Sequence, residues 1–347
     1  MDLATFKTTF DGILQTYVQE KIDQSKHLIS DKKINKFIDY IDTFIFSGGK
    51  RIRPYGLRLT YMWFGGENEK AILNFGIIFE LLHSMALIHD DIIDQAGKRH
   101  NALTVHSYVQ TLLTGDNAAH VAEGQAILIG DLLLSRVYEL RFKQHDFDDN
   151  LLTEARQNVH SMIEEVILWQ MIDVDMMISE PAALALIDKK NTYKTASYTF
   201  TRPMLTWAIL AWASHEQQNL IKQLGNYMGM AFQMRDDYLD ITFGDKTKSA
   251  FSDIQEWQQT YFTNYIFDKG TPEQKKLLKS CMGKKLDDAQ IKELQNMFEE
   301  SGAIAFGKTW IMDYSEKAST ILEDIQINDI AKESVLELIK KMKKLEH

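Results

Sequence analysis

Three aspartates close an apolar run in the stretch FELLHSMALIHDDIID, residues 79–94. Asp90, Asp91 and Asp94 are spaced i, i+1, i+4, so on a helix Asp90 and Asp94 share a face and Asp91 stands beside them. The last turn of a helix carries partial negative charge and favours cations over carboxylates. Like charges crowded there must raise one another's pKa or take up a counter-cation. Oxygen donors of this kind suit a hard divalent ion, Mg2+ before Zn2+. The pattern recurs in GMAFQMRDDYLD, residues 229–240, where Asp236, Asp237 and Asp240 follow a second apolar segment. One such trio could be a solvated helix end, but two, each closing an apolar helix, point to a shared task. If the helices face each other, six carboxylates line one cavity with apolar walls beneath. That cavity would suit a metal-bridged diphosphate whose organic tail points into the apolar floor.

The elements that must position these groups read as helices throughout. Phe10, Ile13, Leu14, Tyr17 and Val18, then Ile34, Phe37, Ile38, Ile41 and Phe44, recur at helical spacing and predict one or two amphipathic helices over residues 1–46. SGGKRIRP, residues 47–54, breaks that pattern. Its glycines would let backbone approach an anion that Lys50, Arg51 and Arg53 neutralise, unless the segment is only a connecting loop with solvated basic residues. His83 lies two turns before Asp90 and could donate to a polar ligand or be a satisfied core histidine. Lys98, Arg99 and His100 follow the first trio in a polar turn. Further helices are predicted over residues 115–142, 155–178, 191–214 and 217–243, carrying Gln170 and Asp173, then Lys194 and Thr195, then Gln233. Spacing alone leaves Lys194 either a surface residue or a phosphate ligand. Gly225 and Gly229 imply close helix packing or room for a tail. The polar stretch after Gly244 suggests a mobile lid, and residues from 269 onward suggest two or three solvated helices without a site.

Composition agrees with this picture. The chain has 347 residues, 45% of them hydrophobic and 11% aromatic, enough for a large core, and its four prolines leave room for long helices. A net charge of −10 argues against nucleic-acid binding, which needs a basic footprint. The single cysteine, Cys281, rules out an internal disulfide and fits a reducing compartment. The longest strongly apolar uncharged run, residues 203–214, falls short of the roughly 20 residues a membrane span needs. A cytoplasmic, all-α, single-domain bundle over residues 1–344 is expected, with residues 345–347 set aside as a possible expression-tag remnant.

At the paired DDxxD motifs the chain resembles the trans-isoprenyl diphosphate synthases, the polyprenyl synthetase family. The resemblance runs from about Ser47 to Thr260, some 60% of the chain. It implies an isoprenoid synthase bundle with a central cavity between two Asp-rich helices, working as a homodimer. It implies that Asp90, Asp91, Asp94, Asp236, Asp237 and Asp240 hold Mg2+, three ions per active site, against an allylic diphosphate. GGKRIRP matches the family's GGKRxRP, so Lys50 and Arg53, with Arg51 near them and His83 alongside, would bind isopentenyl diphosphate. Arg99 matches the first arginine of the family's RRG, Lys194 and Thr195 its KT motif, Gln170 and Asp173 its GQxxD segment, and Gln233 the glutamine before the second trio. The implied reaction ionises the allylic C–O bond and joins the cation to isopentenyl diphosphate.

Three departures stand out. The second arginine of RRG is His100, the glycine of GQxxD is Trp169, and the two lid lysines fall near Ser249 and Gln258, with Lys246 and Lys248 close by. The tail is expected to run down the first aspartate helix past Ala86 and Met85, then Leu82 and Phe79. Small Ala86 and flexible Met85 favour a C20 product, with Phe79 one candidate floor, and farnesyl or longer chains stay open. Competing readings are a same-fold prenyltransferase or terpene synthase with another acceptor, a non-catalytic partner subunit of a synthase, and a di-iron bundle. The last needs two ExxH pairs, of which only Glu80 to His83 is present.

Overall fold

The computed structural model describes residues 3–100, 102–242, 251–327 and 329–345. Apart from one small hairpin, the regular elements among these residues are helices. They sort into two compact units, Met1–Leu59 with Gly66–Leu152, and Thr60–Gly65 with Thr153–His347.

In the first unit, α1 (Leu3–Leu28) buries Phe6, Phe10, Leu14, Val18 and Ile22, one residue per turn. The rings of Phe6 and Phe10 stack with centroids 5.6 Å apart. Helix α2 (Lys32–Phe46) begins at Asp31, whose carboxylate accepts from the amides of Lys33 and Ile34, and it turns Phe37, Ile38, Ile41 and Phe44 inward. Helix α3 (Ile52–Trp63) follows the basic loop. The predicted first aspartate helix is α4 (Glu69–Ile93), started by the Asn68 side chain, which accepts from the Ala71 amide. It is long and apolar enough to cross a membrane by length and composition, more so than the run at 203–214, yet 78% of its apolar window is buried within the fold. Strands β1 (Lys98–Arg99) and β2 (Ala102–Leu103) make a two-rung antiparallel hairpin where the sequence suggested only a polar turn. Helix α5 (Val105–Thr111) and helix α6 (Ala118–Lys143) complete the unit. Gly130 lets α4 and α6 close together: a Cβ there would meet the His89 ring at 2.2 Å.

The second unit contains most of α7 (Asp149–Met176) and then α8 (Leu184–Asn191). Residues 192–201 form a π-helix before α9 (Arg202–Leu210), which buries every residue from Pro203 to Leu210. Helix α10 (His215–Thr242) is the second aspartate helix and packs on the π-helix and on the later α15. A Cβ on Gly229 would lie 2.3 Å from Ala196 Cα, and one on Gly225 would lie 2.7 Å from Thr201 Cα. Of the two uses foreseen for these glycines, close helix packing is the one the geometry displays. Beyond α10 come α11 (Ser252–Gln255), α12 (Tyr261–Lys269), α13 (Pro272–Cys281), α14 (Asp288–Glu300), α15 (Ala303–Asp324) and α16 (Asp329–Lys343). The expectation of two or three solvated helices after residue 269 thus undercounts. Helix α15 is a core element, burying Ala303, Gly307, Ile311, Tyr314, Ala318 and Leu322, because apolar residues three and four apart give it a continuous inward stripe.

Candidate active site

In the first unit the aspartates sit where α4 ends. Asp91 is fully buried, while Asp90 and Asp94 are half-buried. Asp94 caps the helix, its amide donating to the Asp90 carbonyl at 2.8 Å. The hairpin delivers Arg99 to Asp91, with Nε 2.7 Å and Nη2 2.6 Å from the same oxygen, Oδ1. The other oxygen, Oδ2, is buried with no hydrogen-bond partner. Burial pushes the Asp91 carboxyl above the usual range despite Arg99. Burial would likewise weaken the Arg99 cation, but Asp91, then Asp90 and Asp94, hold its pKa above the ordinary arginine value.

The basic groups gather in the same unit. Burial, and then the charges of Arg53, Arg99, Arg51 and His100, drive His83 well below its usual pKa, so His83 is neutral at physiological pH. His100, at φ 52°, lays its ring over Gly48, where a Cβ would meet Cδ2 at 2.5 Å. A side chain at position 48 would therefore force the His100 ring aside. Lys50 is exposed and Arg53 half-buried. Arg51 has a different setting. Its Nε donates to Asp11 at 2.7 Å, Nη1 to Glu80 at 2.6 Å and Nη2 to the Ile45 carbonyl at 2.9 Å, with its side chain 3% exposed. These bonds tie α1, α2 and α4 to the loop that carries Lys50 and Arg53. Down the α4 stripe, Phe79, Leu82 and Met85 are buried and Ala86 is half-buried, and Phe79 stacks on Phe75.

In the second unit a chain of hydrogen bonds runs from the KT motif to the second trio. Thr195 Oγ1 donates to Gln233 Oε1 at 2.7 Å, and Gln233 Nε2 donates to Asp237 Oδ1 at 2.5 Å. Asp236 is exposed and Asp237 is 3% exposed. Burial, and then the negative charge of Asp253, raise the Asp237 carboxyl well above the ordinary range. Asp240 is committed to the chain that follows it: Oδ1 accepts from the Ser252 amide at 3.0 Å and hydroxyl at 2.6 Å, and Oδ2 from the Asp253 amide at 3.3 Å. Lys194 and Lys190 both bond Asp173. Burial alone would raise Asp173, but these two ammonium groups hold it below the usual carboxylate range. Gln170 is half-buried on α7. Beside it Trp169, at the family's glycine position, stacks on Tyr193 with centroids 5.2 Å apart. Of the lid positions, Ser249 and the nearby Lys246 and Lys248 lie outside the described residues, and Gln258 is a half-buried glutamine just before α12.

Among the described residues no three acidic, histidine or cysteine side chains already converge on a point where a cation could sit. The donor set nonetheless fits a hard cation, because Asp91 presents a buried oxygen with no proton donor and Asp237 a carboxyl that burial makes costly to ionise alone. Sequence reasoning overlooked Lys190, Asp253, and the Asp11 and Glu80 partners of Arg51. A Lys-Lys pair at 189–190 reads as a solvated face, and no local spacing marks the others.

The sequence model described as polyprenyl synthetase matches residues 32–300, reaching into both units. This chain belongs to the polyprenyl synthetase family. Members of the family are trans-prenyltransferases and generally depend on Mg2+. The polyprenyl synthetase described here is 26% identical to a short chain isoprenyl diphosphate synthase of Methanothermobacter thermautotrophicus over 325 residues, covering 91% of this chain and 93% of the relative. It is 29% identical to a geranylgeranyl diphosphate synthase of Sulfolobus acidocaldarius over 283 residues, covering 80% of each. Among solved structures, a geranylgeranyl pyrophosphate synthase of Corynebacterium glutamicum, complexed with isoprenyl diphosphate and magnesium, superposes with a TM-score of 0.88 at 25% identity, covering 97% of this chain and 99% of that one.

Proposed function

We propose that this polyprenyl synthetase condenses isopentenyl diphosphate with an allylic diphosphate and releases mainly geranylgeranyl diphosphate. The observation that carries the reading is the pair of buried central aspartates, Asp91 and Asp237, each closing an apolar helix beside half-buried or exposed partners. Relatives named as geranylgeranyl and short chain synthases support the product class.

Asp90, Asp91 and Asp94 in the first unit, and Asp236, Asp237 and Asp240 in the second, are the residues that would hold magnesium. Bound magnesium would supply Lewis-acid neutralisation of the leaving diphosphate. Arg99 and Lys194 add fixed positive charge as the allylic C–O bond breaks heterolytically, where charge develops and water is excluded. Thr195 and Gln233 orient Asp237 through their hydrogen bonds. Lys50 and Arg53 bind the diphosphate of isopentenyl diphosphate, His100 takes part beside Gly48, and neutral His83 can donate one hydrogen bond. With the acceptor held, its π-bond attacks the allylic cation and a proton leaves the adjacent carbon to the departed diphosphate. Positioning accounts for much of such an acceleration. Gln170 stands one turn from Asp173 and serves the same diphosphate.

Val121, Leu128, Tyr138 and Phe142 leave an apolar stripe exposed on α6, which supports a homodimer. A cytoplasmic setting suits the single, unpaired cysteine. The test is incubation of the purified chain with Mg2+, isopentenyl diphosphate and dimethylallyl, geranyl or farnesyl diphosphate, followed by sizing of the dephosphorylated alcohols. Twenty-carbon alcohol is the expected product. Alcohols no longer than the allylic primer would overturn the reading in favour of an enzyme with another acceptor.

A further inference from the structure

Asp173 sits at a junction that the family's reaction does not explain by itself. Its carboxylate is 2% exposed and is shared by two lysines: Lys190 Nζ lies 2.9 Å from Oδ1, and Lys194 Nζ bonds Oδ2. Lys190 is itself only 5% exposed and also donates to the Gln259 carbonyl at 2.6 Å. The Gln259 side chain continues the junction, taking the Ala182 amide at 2.8 Å and giving to the Met176 carbonyl at 2.7 Å. Lys190, near the end of α8, therefore ties the end of α7 to the segment leading into α12, and Gln259 adds the residues just before α8.

Lys194 is the more exposed of the two lysines, with 26% of its side chain open against 7% for Lys190. It belongs to the π-helix, whose wider turn is common where a helix serves a site. Resting on the proposal that Lys194 meets the allylic diphosphate, a conflict follows. To reach a phosphate oxygen, Lys194 must leave Asp173, and a buried carboxylate stripped of its partner is strongly disfavoured. Lys190 removes that obstacle, since it stays on Oδ1 whatever Lys194 does.

We infer that Lys190 is a positioning residue that keeps the buried Asp173 carboxylate compensated while Lys194 exchanges it for the allylic diphosphate. Asp173 then acts as a parking site for Lys194, holding the ammonium in place when no diphosphate is bound. Lys190 touches no substrate, and its influence passes entirely through Asp173. This part of the chain thus carries a second buried cation in addition to the KT lysine.

The coupling makes a sign prediction that a merely structural lysine would not. In Lys190→Met, Lys194 becomes the only cation on a buried carboxylate and is withheld from phosphate. In Lys190→Met combined with Asp173→Asn, the carboxylate at position 173 no longer holds Lys194 back. Calorimetric titration with inorganic pyrophosphate in excess Mg2+, and steady-state KM for geranyl diphosphate at saturating isopentenyl diphosphate, read the effect directly. The expected result is affinity about tenfold weaker in Lys190→Met, kcat and the KM for isopentenyl diphosphate within twofold of the parent, and recovery to within about twofold in the double variant. Equal or additive losses in single and double variants, or no loss in Lys190→Met, overturn the inference. If Lys190→Met does not fold by circular dichroism, Lys190→Gln with and without Asp173→Asn gives the same comparison and is judged by the same outcomes. An unmodified enzyme that binds no magnesium pyrophosphate and forms no product refutes the functional reading instead, so the two failures are told apart.

Discussion

Arg99 donates twice to one oxygen of Asp91, through Nε at 2.7 Å and Nη2 at 2.6 Å, while the second oxygen of that carboxylate is buried without a hydrogen-bond partner. The guanidinium fixes the rotation of the carboxylate, and the carboxylate in turn fixes a cation at the mouth of the proposed diphosphate site. Lysine cannot reproduce this, because its single nitrogen makes a point contact where the guanidinium makes a planar fork. Arg99→Lys should lower kcat/KM for the allylic substrate about 100-fold, in the range seen when one preorganised charge donor is lost. The circular dichroism spectrum should not change. Steady-state kinetics with geranyl diphosphate checks this, and a loss under threefold would show that Arg99 has no part in the site.

Arg51 offers a contrast within the same sequence motif. Lys50 stands exposed, yet Arg51 spends three donors inside the first unit, on Asp11, Glu80 and the Ile45 carbonyl. Arg51 and Glu80 each leave only 3% of the side chain exposed. Removing Glu80 leaves the buried guanidinium with Asp11 as its remaining carboxylate and one donor unsatisfied, at about 1–3 kcal/mol. Glu80→Ala should therefore lower stability by roughly that amount in urea denaturation. Surviving folded enzyme should keep its KM for isopentenyl diphosphate within a few-fold, since Arg51 acts through the loop. A stable Glu80→Ala protein with a greatly raised KM would mean that Arg51 is a direct ligand.

The helices were legible in the sequence because their apolar spacing is strong: α10 runs within about two residues of the expected 217–243, and α4 ends at the first trio as foreseen. The π-helix was not, because nothing in the local spacing of residues 192–201 marks a wider turn. Helix α15 was misjudged for a similar reason. Its charged residues mark the outer face, and nothing local reveals that α10 will cover the inner one. At the site, residue types recurring in a spaced motif could be read directly. What could not be read is what each side chain already holds: Asp240 bound to Ser252 and Asp253, or Asp173 divided between two lysines. Those partners arrive from far along the chain, and their pairing is decided by packing.

The approach of α10 to the π-helix can be tested at one atom. A Cβ at position 229 would lie 2.3 Å from Ala196 Cα and 2.4 Å from its Cβ, and neither backbone nor methyl can swing aside. Gly229→Ala must push the π-helix off α10 and shift Lys194 and Thr195 with it. Overpacking of this kind costs about 1–3 kcal/mol, and displacement of the proposed phosphate ligand Lys194, with Thr195, should cut kcat/KM more than tenfold. Adding Ala196→Gly removes only the Cβ contact and should restore little of either, because the 2.3 Å approach to Cα remains. A Gly229→Ala enzyme with the parent's stability and activity would count against the steric account.

His83 ties stability to pH. In the unfolded chain its imidazole titrates near 6.5, whereas burial and the nearby arginines hold it well below that in the folded protein. Above the unfolded value it is neutral in both states and contributes no pH dependence. As pH falls through 6.5 the unfolded chain takes up the proton first, so stability declines until the folded-state pKa is passed. His83→Asn should remove this contribution. Urea midpoints of the parent should fall more steeply from pH 7.5 to 5.5 than those of the variant. Parallel lines would show that His83 is not held neutral.

Product length should respond to the stripe below the first aspartates. Ala86 is half-buried one turn before Asp90, whereas Phe79 is fully buried and stacked on Phe75, about 16 Å from Asp90 along the helix axis. A growing chain that follows this face meets a methyl group first and an aromatic ring last. Ala86→Phe brings the ring to within about 6 Å of the aspartate along the axis, where it should stop elongation at farnesyl diphosphate or earlier. Turnover of short primers should change less than threefold, since no charged group is touched. Phe79→Leu, a smaller change than truncation to alanine and less costly to the core, should admit one further isoprene unit. Radiolabelled isopentenyl diphosphate with chromatography of the alcohols measures both. If Ala86→Phe leaves the product distribution unchanged, the tail does not run along this face of α4.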